Sequence, residues 1–442
     1  MENIIHSRIF IFNYLVNLYK LCIKSKKSQK FFKERIINIK NHTPKPLSYI
    51  GIRLLTLCQL LGGTSIFIQN VVVGWFTYDL TGSRILTSMS WGIDSLSNVI
   101  SGPIGGLAAD RWERKKILAY TQFLKTAIIV IFSFLIIYNQ VNAIWILFFV
   151  LLIGFWSTVS APSEHAIVPT VLPVNTNILV SSFATIMAAQ HLCGTIMPPI
   201  AGKMISWFGP GETLVSTSLL LFLGGLTYLK INPINSHKKN KQLEKINYKE
   251  LLIFLKKSPL IQAMVISRTW IYLFVTPAVH GLLPVFAAEE LNTNSFGLGL
   301  LFAALGTGGV LGNLGLSLWN KRFQRNILFI SYWSIACIAM LIFANSKSLL
   351  VSLPTAFLVN FGIISTLTII RSSLASEVPD ILRGRVSSLN SITMIVVPVG
   401  SFIAGSIAEK YNAPTATMLC CLFFFSSLVI TFLIYPQIRN VK

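Results

Sequence analysis

The sequence predicts an all-α polytopic membrane protein of twelve transmembrane helices in two pseudo-symmetric six-helix halves. Three observations carry this. Apolar runs of about 20 residues recur along the chain, the length that matches bilayer hydrocarbon. Only 12% of the 442 residues are charged, with 53% hydrophobic and a mean hydropathy of +0.67; a soluble domain carries about 25% charged residues. Finally, patterns repeat at a fixed offset. Asp110-Arg111…Lys115…Ile117-Leu118 aligns with Asn320-Lys321…Arg325…Ile327-Leu328 at 210 residues, and Val168-Pro169…Leu172 aligns with Val378-Pro379…Leu382 at the same 210. Parallel duplicated halves are a transporter architecture.

The elements follow in order. Residues 1–48 are basic, and Ile4 to Ile23 is apolar but interrupted by His6, Arg8, Asn13, Asn17 and Lys20. The expectation is a cytoplasmic arm with an interfacial helix on anionic lipid; a disordered tail, or residues preceding the true start, is the alternative. The first half occupies 49–231, with spans near 50–78, 85–109, 116–138, 142–164, 178–208 and 213–231. A cytoplasmic linker covers 232–257. The second half occupies 258–436, with spans near 259–288, 295–319, 327–345, 349–373, 386–409 and 414–435, and 437–442 form a tail. Joins such as Thr81-Gly82-Ser83, Gly209-Pro210-Gly211 and Asn292-Thr293-Asn294 carry turn formers.

Charge fixes the expected orientation. Of the 37 Lys and Arg, 30 fall in 1–48, 110–116, 230–257, 321–325, 371–385 and 439–442, all on one side of the predicted bundle. The positive-inside rule makes that side, both termini and the linker cytoplasmic. The same placement explains the net charge of +22 without nucleic acid. The six cysteines show no metal-type spacing and read as small hydrophobes. No GxxxxGK[ST] phosphate loop and no nucleophile–base arrangement is present. An enzyme and an ATP-driven pump are therefore not expected. The energy source expected is a proton gradient, with no bound cofactor.

Gly106-x-x-x-Asp110-Arg111-x-x-Arg114-Lys115 resembles the signature loop between spans 2 and 3 of the major facilitator superfamily, with Glu113 where the family usually has glycine. Gly194-x-x-x-Pro198-Pro199-x-x-Gly202 is similar to the antiporter motif of exporters, although Pro198 stands where glycine is usual and the upstream glycine is missing. Trp75-Phe76-Thr77-Tyr78-Asp79-Leu80-Thr81-Gly82-Ser83 and Val378-Pro379-Asp380-Ile381-Leu382-Arg383-Gly384-Arg385-Val386 resemble the enterobactin-exporter-like, transmembrane secretion effector (drug:proton antiporter) branch. The resemblance covers about 49–436 and implies alternating access. It also implies a cytoplasmic gate, in which Gly106 permits close helix contact and Asp110 meets the start of span 11 near Val386. Arg111, Arg114 and Lys115 would then pair with Glu164, Glu377 or Asp380. The competing reading is that these cations are only the topology signal.

Charges at membrane depth are functional candidates by default. Asp94 lies nine residues into span 2, about 13 Å deep at 1.5 Å per residue. Arg268 and Lys125 lie at similar depth, whereas Arg53 can snorkel. Asp94 is the expected proton-coupling group, or else half of a structural pair with Lys125; Arg268 would attract an anionic substrate or balance Asp94. Gln69, Asn70, Gln190, His191, Trp270, Tyr272, His280 and Asn360 are candidates to line the same cavity, the histidines being packing residues otherwise. Pro198, Pro199, Pro277, Pro284 and Pro398 mark kinks. Gly194, Gly202 and the run Gly306, Gly308, Gly309, Gly312, Gly315 mark hinges or close packing.

The function expected is proton-coupled export of a small amphipathic molecule, either a siderophore or a drug-like compound. The location expected is the inner membrane of a bacterium-like cell. The partners expected are that small-molecule substrate and the bilayer, with no nucleic acid; a monomer is compatible with the sequence. The alternatives are a metabolite importer of the same fold, a lysophospholipid flippase, and a non-transporting scaffold or sensor.

Overall fold

The computed structural model describes residues 46–173, 176–234, 258–319, 323–377 and 393–435; the side chains of Asp110, Thr176, Asn177 and 375–377 are also left undescribed. The expected N-terminal arm over 1–45, most of the linker, Asn320-Lys321, Val378–Arg385 and the tail lie outside the described residues.

The described chain is helical and contains twelve long helical segments. The first half holds α1 (Ile50–Thr81), α2 (Arg84–Arg111), α3 (Arg114–Ile137), α4 (Ala143–Ile167), α5 (Thr176–Phe208) and α6 (Pro210–Leu229). The second half opens with α7 over Pro259–Glu290 and α8 over Ser295–Trp319. It continues with α9 (Arg325–Ala344), α10 (Leu349–Glu377), α11 (Val396–Lys410) and α12 (Ala413–Ile434). Most bounds agree with the sequence reading within a few residues. For α11 only the part from Val396, preceded by a 3-10 turn at Thr393–Ile395, is described.

Eleven of the twelve are long and apolar enough to cross a membrane. The exception is α2, which carries Ser88, Ser90, Asp94, Ser95, Ser97, Asn98 and Ser101. Three of these polar residues, Ser88, Ser97 and Ser101, are fully buried in the protein. Ser97 Oγ donates to the carbonyls of Leu151 (3.0 Å) on α4 and Ile93 (3.2 Å) in its own helix. Polar atoms at membrane depth need such partners.

The α1–α2 turn shows how local chemistry sets the geometry. Gly82 ends α1 with φ +60°, a left-handed conformation that favours glycine, and its N–H reaches the Tyr78 carbonyl. Ser83 then caps α2, its hydroxyl accepting from the Leu86 N–H at 3.3 Å.

The proline kinks expected in α7 take a specific form. An α-helical start, Pro259–Trp270, gives way to π-helical turns at Ile271–Val275, Pro277–Gly281 and Phe286–Glu290. A π turn carries an extra residue and redirects side chains, and is frequent at functional sites. The prolines of α5 do not interrupt it, and α5 runs unbroken through Pro198 and Pro199.

The halves meet along two seams, α2 against α11 and α5 against α8. Both seams lie toward the end opposite the basic loops. There a Cβ on Gly92 would sit 2.8 Å from Ser401 Cβ, and one on Gly405 2.8 Å from Ile85 Cα. On the other seam Gly202 lies against the Ser295 carbonyl and Gly299 against that of Pro198. The residues expected as hinges thus form a close contact between helices, in which Ser295 Oγ also donates to the Gly202 carbonyl at 2.8 Å. Gly202→Ala is expected to destabilise the protein by about 1–3 kcal/mol through overpacking. Thermal unfolding in detergent measures this, and an unaltered midpoint would refute the close contact.

The contacts that the described residues make between the halves lie toward the cation-poor end. Among the described residues, and apart from the neighbouring backbone of α2 itself, nothing lies within 4 Å of where a Cβ on Gly102 or Gly106 would stand. The start of span 11, where the close approach of Gly106 is expected, lies outside the described residues.

Candidate functional site

Between the halves lies a cavity. From the first half Gln69, Asn70, Val73 and Gly74 of α1, Thr87, Ser90, Trp91 and Asp94 of α2, and Val150 and Ile153 of α4 line it. From the second half come His280, Gly281 and Pro284 of α7 and Phe302 of α8. Asp94 is the one charged residue among these described lining residues, and its side chain is open to the cavity. One carboxylate oxygen rests against Gly154, where a Cβ would stand 2.8 Å from it. Asn98, one turn on, donates to the Asp94 backbone carbonyl (3.3 Å) and accepts from the Thr158 hydroxyl (2.7 Å). Gln69 donates to Ser65 Oγ at 2.6 Å.

Trp91 crosses the halves. Its ring stacks on His280 with centroids 5.0 Å apart and 9° between planes. The stack sits where the π-helical Pro277–Gly281 turn meets α2. The sequence reading had His280 as a candidate but missed Trp91. The available signal was its spacing: Trp91 is three residues before Asp94, hence on the same helix face.

The structure separates the other candidates from this cavity. Lys125 is only 4% exposed and is not among the described lining residues. It forms no ion pair with Asp94; Glu164, bonded by the Ser160 hydroxyl at 2.8 Å, is the acid whose field reaches it. The alternative Asp94–Lys125 pair is thus not present. Arg268 is 2% exposed, donates to Tyr272 Oη at 3.1 Å and stands 5.1 Å from that ring, so it does not balance Asp94. Trp270 stacks on Phe274 at 5.5 Å, within the second half. Asn360 ties α10 to α8 through the Leu305 carbonyl at 2.7 Å. Gln190 backs onto Gly63 of α1, His191 is exposed beside the exposed Leu192, and Gly194 contacts Phe67. Pro398 packs against Gly92 on the α2–α11 seam.

The motif loop after α2 is also partly described. Asp110 is helical, its side chain outside the described residues, as are Asp380 and the Glu377 side chain. Arg111 is exposed. Arg114 Nη1 donates to the Ala166 carbonyl at 2.6 Å, in its own half. Lys115 and Lys116 pair with Glu113 at 3.7 and 3.0 Å. The Lys116 ammonium bonded to Glu113 holds its carboxyl below the usual range. Lys115 thus pairs within the loop, and not with Glu164.

A second cluster, missed in sequence, closes the opposite end. Arg84, outside the basic clusters that set the topology, starts α2 and reaches across the halves. Its Nε bonds both oxygens of Glu289 on α7 at 2.8 and 3.0 Å, and its Nη1 donates to the Ala408 carbonyl on α11 at 2.8 Å. The Tyr78 hydroxyl donates to the same Glu289. In return Glu409 of α11 accepts from the backbone N–H groups of Arg84 (2.8 Å) and Ile85 (3.2 Å). It caps α2 from the other half, where a carboxylate also meets the positive helix end.

Two six-helix halves sealed by polar contacts at one end and holding a carboxylate-bearing cavity between them have the architecture of a membrane transporter. The chain belongs to the transmembrane secretion effector family of the major facilitator superfamily, whose model matches residues 42–441. It is a multi-pass membrane transporter and not an enzyme. It is 22% identical over 381 residues to macrolide efflux protein A of Streptococcus pyogenes, covering 81% of this chain and 90% of that protein. The Enterococcus faecalis protein of that name is 22% identical over 254 residues, covering 57% and 77%. Among solved structures, a bacterial homolog of the human lysosomal transporter Spinster, inward-facing and unoccupied, aligns with TM-score 0.70 at 15% identity over 89% of this chain and 98% of that one. The nucleoside transporter NupG aligns with TM-score 0.69 at 14% identity over 87% and 100%. These structures share the fold.

Proposed function

We propose that the protein is a secondary active exporter that moves a small amphipathic, drug-like molecule out of the cytoplasm in exchange for protons. The observation that carries this is the cavity between the halves, sealed at the cation-poor end by the Arg84–Glu289 cluster. With the basic end in the cytoplasm, the seal lies on the outer side, and the cavity loads from the cytoplasm as an exporter requires. Both termini are then cytoplasmic, and the membrane is the inner membrane of a bacterial cell. The two macrolide efflux relatives support a drug-like substrate. An acidic siderophore fits less well, because no cation is among the described lining residues.

Asp94 is the proposed coupling carboxylate, since it is the one acidic residue among the described lining residues. Asp110, Arg111, Arg114 and Lys115 are proposed to close the basic end when the halves rock, with Gly106 permitting the close helix contact.

The test is accumulation in everted membrane vesicles. Under an imposed proton gradient a radiolabelled macrolide should accumulate, and a protonophore should discharge it. No accumulation, or accumulation that survives the protonophore, would sink the proton-coupled reading.

A further inference from the structure

We propose that the cavity is an organic-cation site in which Asp94 and Trp91 together receive a protonated or quaternary nitrogen. The inference rests on the exporter reading and names its substrate class.

The sequence placed three charges, of both signs, near mid-membrane. The structure leaves one of them in the cavity. Arg268 already has its aromatic partner in Tyr272, and Lys125 is enclosed in the first half. The described lining therefore presents a single negative charge. Low-dielectric walls focus such a field and concentrate ions of the opposite sign.

The remaining lining suits a cation with an apolar body. Trp91, one helical turn from Asp94, supplies an indole face, the aromatic surface that best attracts an ammonium. Its stack on His280 fixes the ring orientation from the opposite half. The absence of a side chain at Gly154 leaves room for the Asp94 carboxylate, which forms no ion pair or side-chain hydrogen bond among the described residues. Val73, Ile153, Pro284 and Phe302 offer apolar contact to the rest of the ligand. A carboxylate and an indole on an otherwise uncharged, largely apolar wall match an amphipathic amine and mismatch an anion of the same size.

The stack also places the site on the moving interface. Trp91 and His280 belong to different halves, so rocking that opens the sealed end must part them. The ligand site then loses one wall as the outer side opens, which favours release there.

The test uses tetraphenylphosphonium, a permanent lipophilic cation, and triphenylphosphine oxide, a neutral compound of related shape. Binding is measured by equilibrium dialysis on the purified full chain in nanodiscs. The wild type should bind the cation saturably. Asp94→Asn should weaken that binding by roughly tenfold or more, as loss of a charge-assisted contact does. Trp91→Ala should weaken it severalfold, and Asp94→Glu should retain it, which separates loss of charge from misfolding. Neutral-compound affinity should not follow the charge at position 94. Equal cation affinity in wild type and Asp94→Asn overturns the proposal. So does a protein that accumulates neutral or anionic compounds in vesicles but does not bind the cation, and that result leaves the exporter reading standing. Charge-dependent binding without any vesicle accumulation supports the site and removes the exporter reading.

Discussion

Glu289→Gln is expected to shift the resting protein toward the conformation open at the cation-poor end. The carboxylate accepts two bonds from Arg84 Nε and one from Tyr78, all from the first half. An exposed ion pair contributes little, but this one is not freely exposed: the side chains are 26% and 21% accessible. The guanidinium is also held by the Ala408 carbonyl. Loss of a charge-assisted network of this kind removes about 1–3 kcal/mol. That is roughly a 5- to 150-fold change in a two-state equilibrium.

The readout is a cysteine placed in the sealed seam. Ser401 is fully buried against Gly92, so Ser401→Cys should react slowly with a membrane-impermeant maleimide applied from the outer side. Adding Glu289→Gln should raise that rate at least about fivefold. The charge-swapped pair Arg84→Glu with Glu289→Arg should recover part of the protection. Equal labelling with and without Glu289→Gln would show that the seam is held by its glycine contacts alone. The five described native cysteines are buried and give a low background.

The fold was legible because lipid imposes a simple rule: every span must be long, apolar and helical. Apolar runs therefore located all twelve spans, the polar α2 among them. What hydropathy could not supply was azimuth. Counting residues along an axis put Asp94, Lys125 and Arg268 at similar depth, but depth says nothing about which way a side chain points. Only Asp94 faces the gap between halves; Lys125 turns into its own half and Arg268 toward Tyr272. The same limit hid the Arg84–Glu289 latch, whose partners are separated by 205 residues. Arg84 looked incidental because the topology count treated any cation at that end as an exception. The small number of acids near it was the unused clue. Trp91 was passed over because an aromatic residue in a span ordinarily signals packing, and its stacking partner lies in the other half.

Asp94→Asn is expected to abolish uphill export while leaving the protein folded and inserted. The amide keeps the shape of the carboxylate and its fit beside Gly154 but can neither carry the charge nor exchange a proton. Two consequences should separate. Accumulation driven by a proton gradient in everted vesicles should fall at least about tenfold, equivalent to about 1.4 kcal/mol. Movement of a neutral substrate down its own gradient should persist, because rocking depends on the seams and the latch and not on this carboxylate. Asp94→Glu should restore coupling in part, since the acid returns on a longer arm. If Asp94→Asn instead sustains full proton-driven accumulation, the coupling proton must bind elsewhere. Glu164 is then the next carboxylate to test, because its field acts on the buried Lys125. The ordering of these outcomes follows from geometry. A proton and an organic cation that both need Asp94 cannot occupy it together, so one must leave before the other binds. Exchange of the two across the membrane requires no further coupling device than this single shared carboxylate.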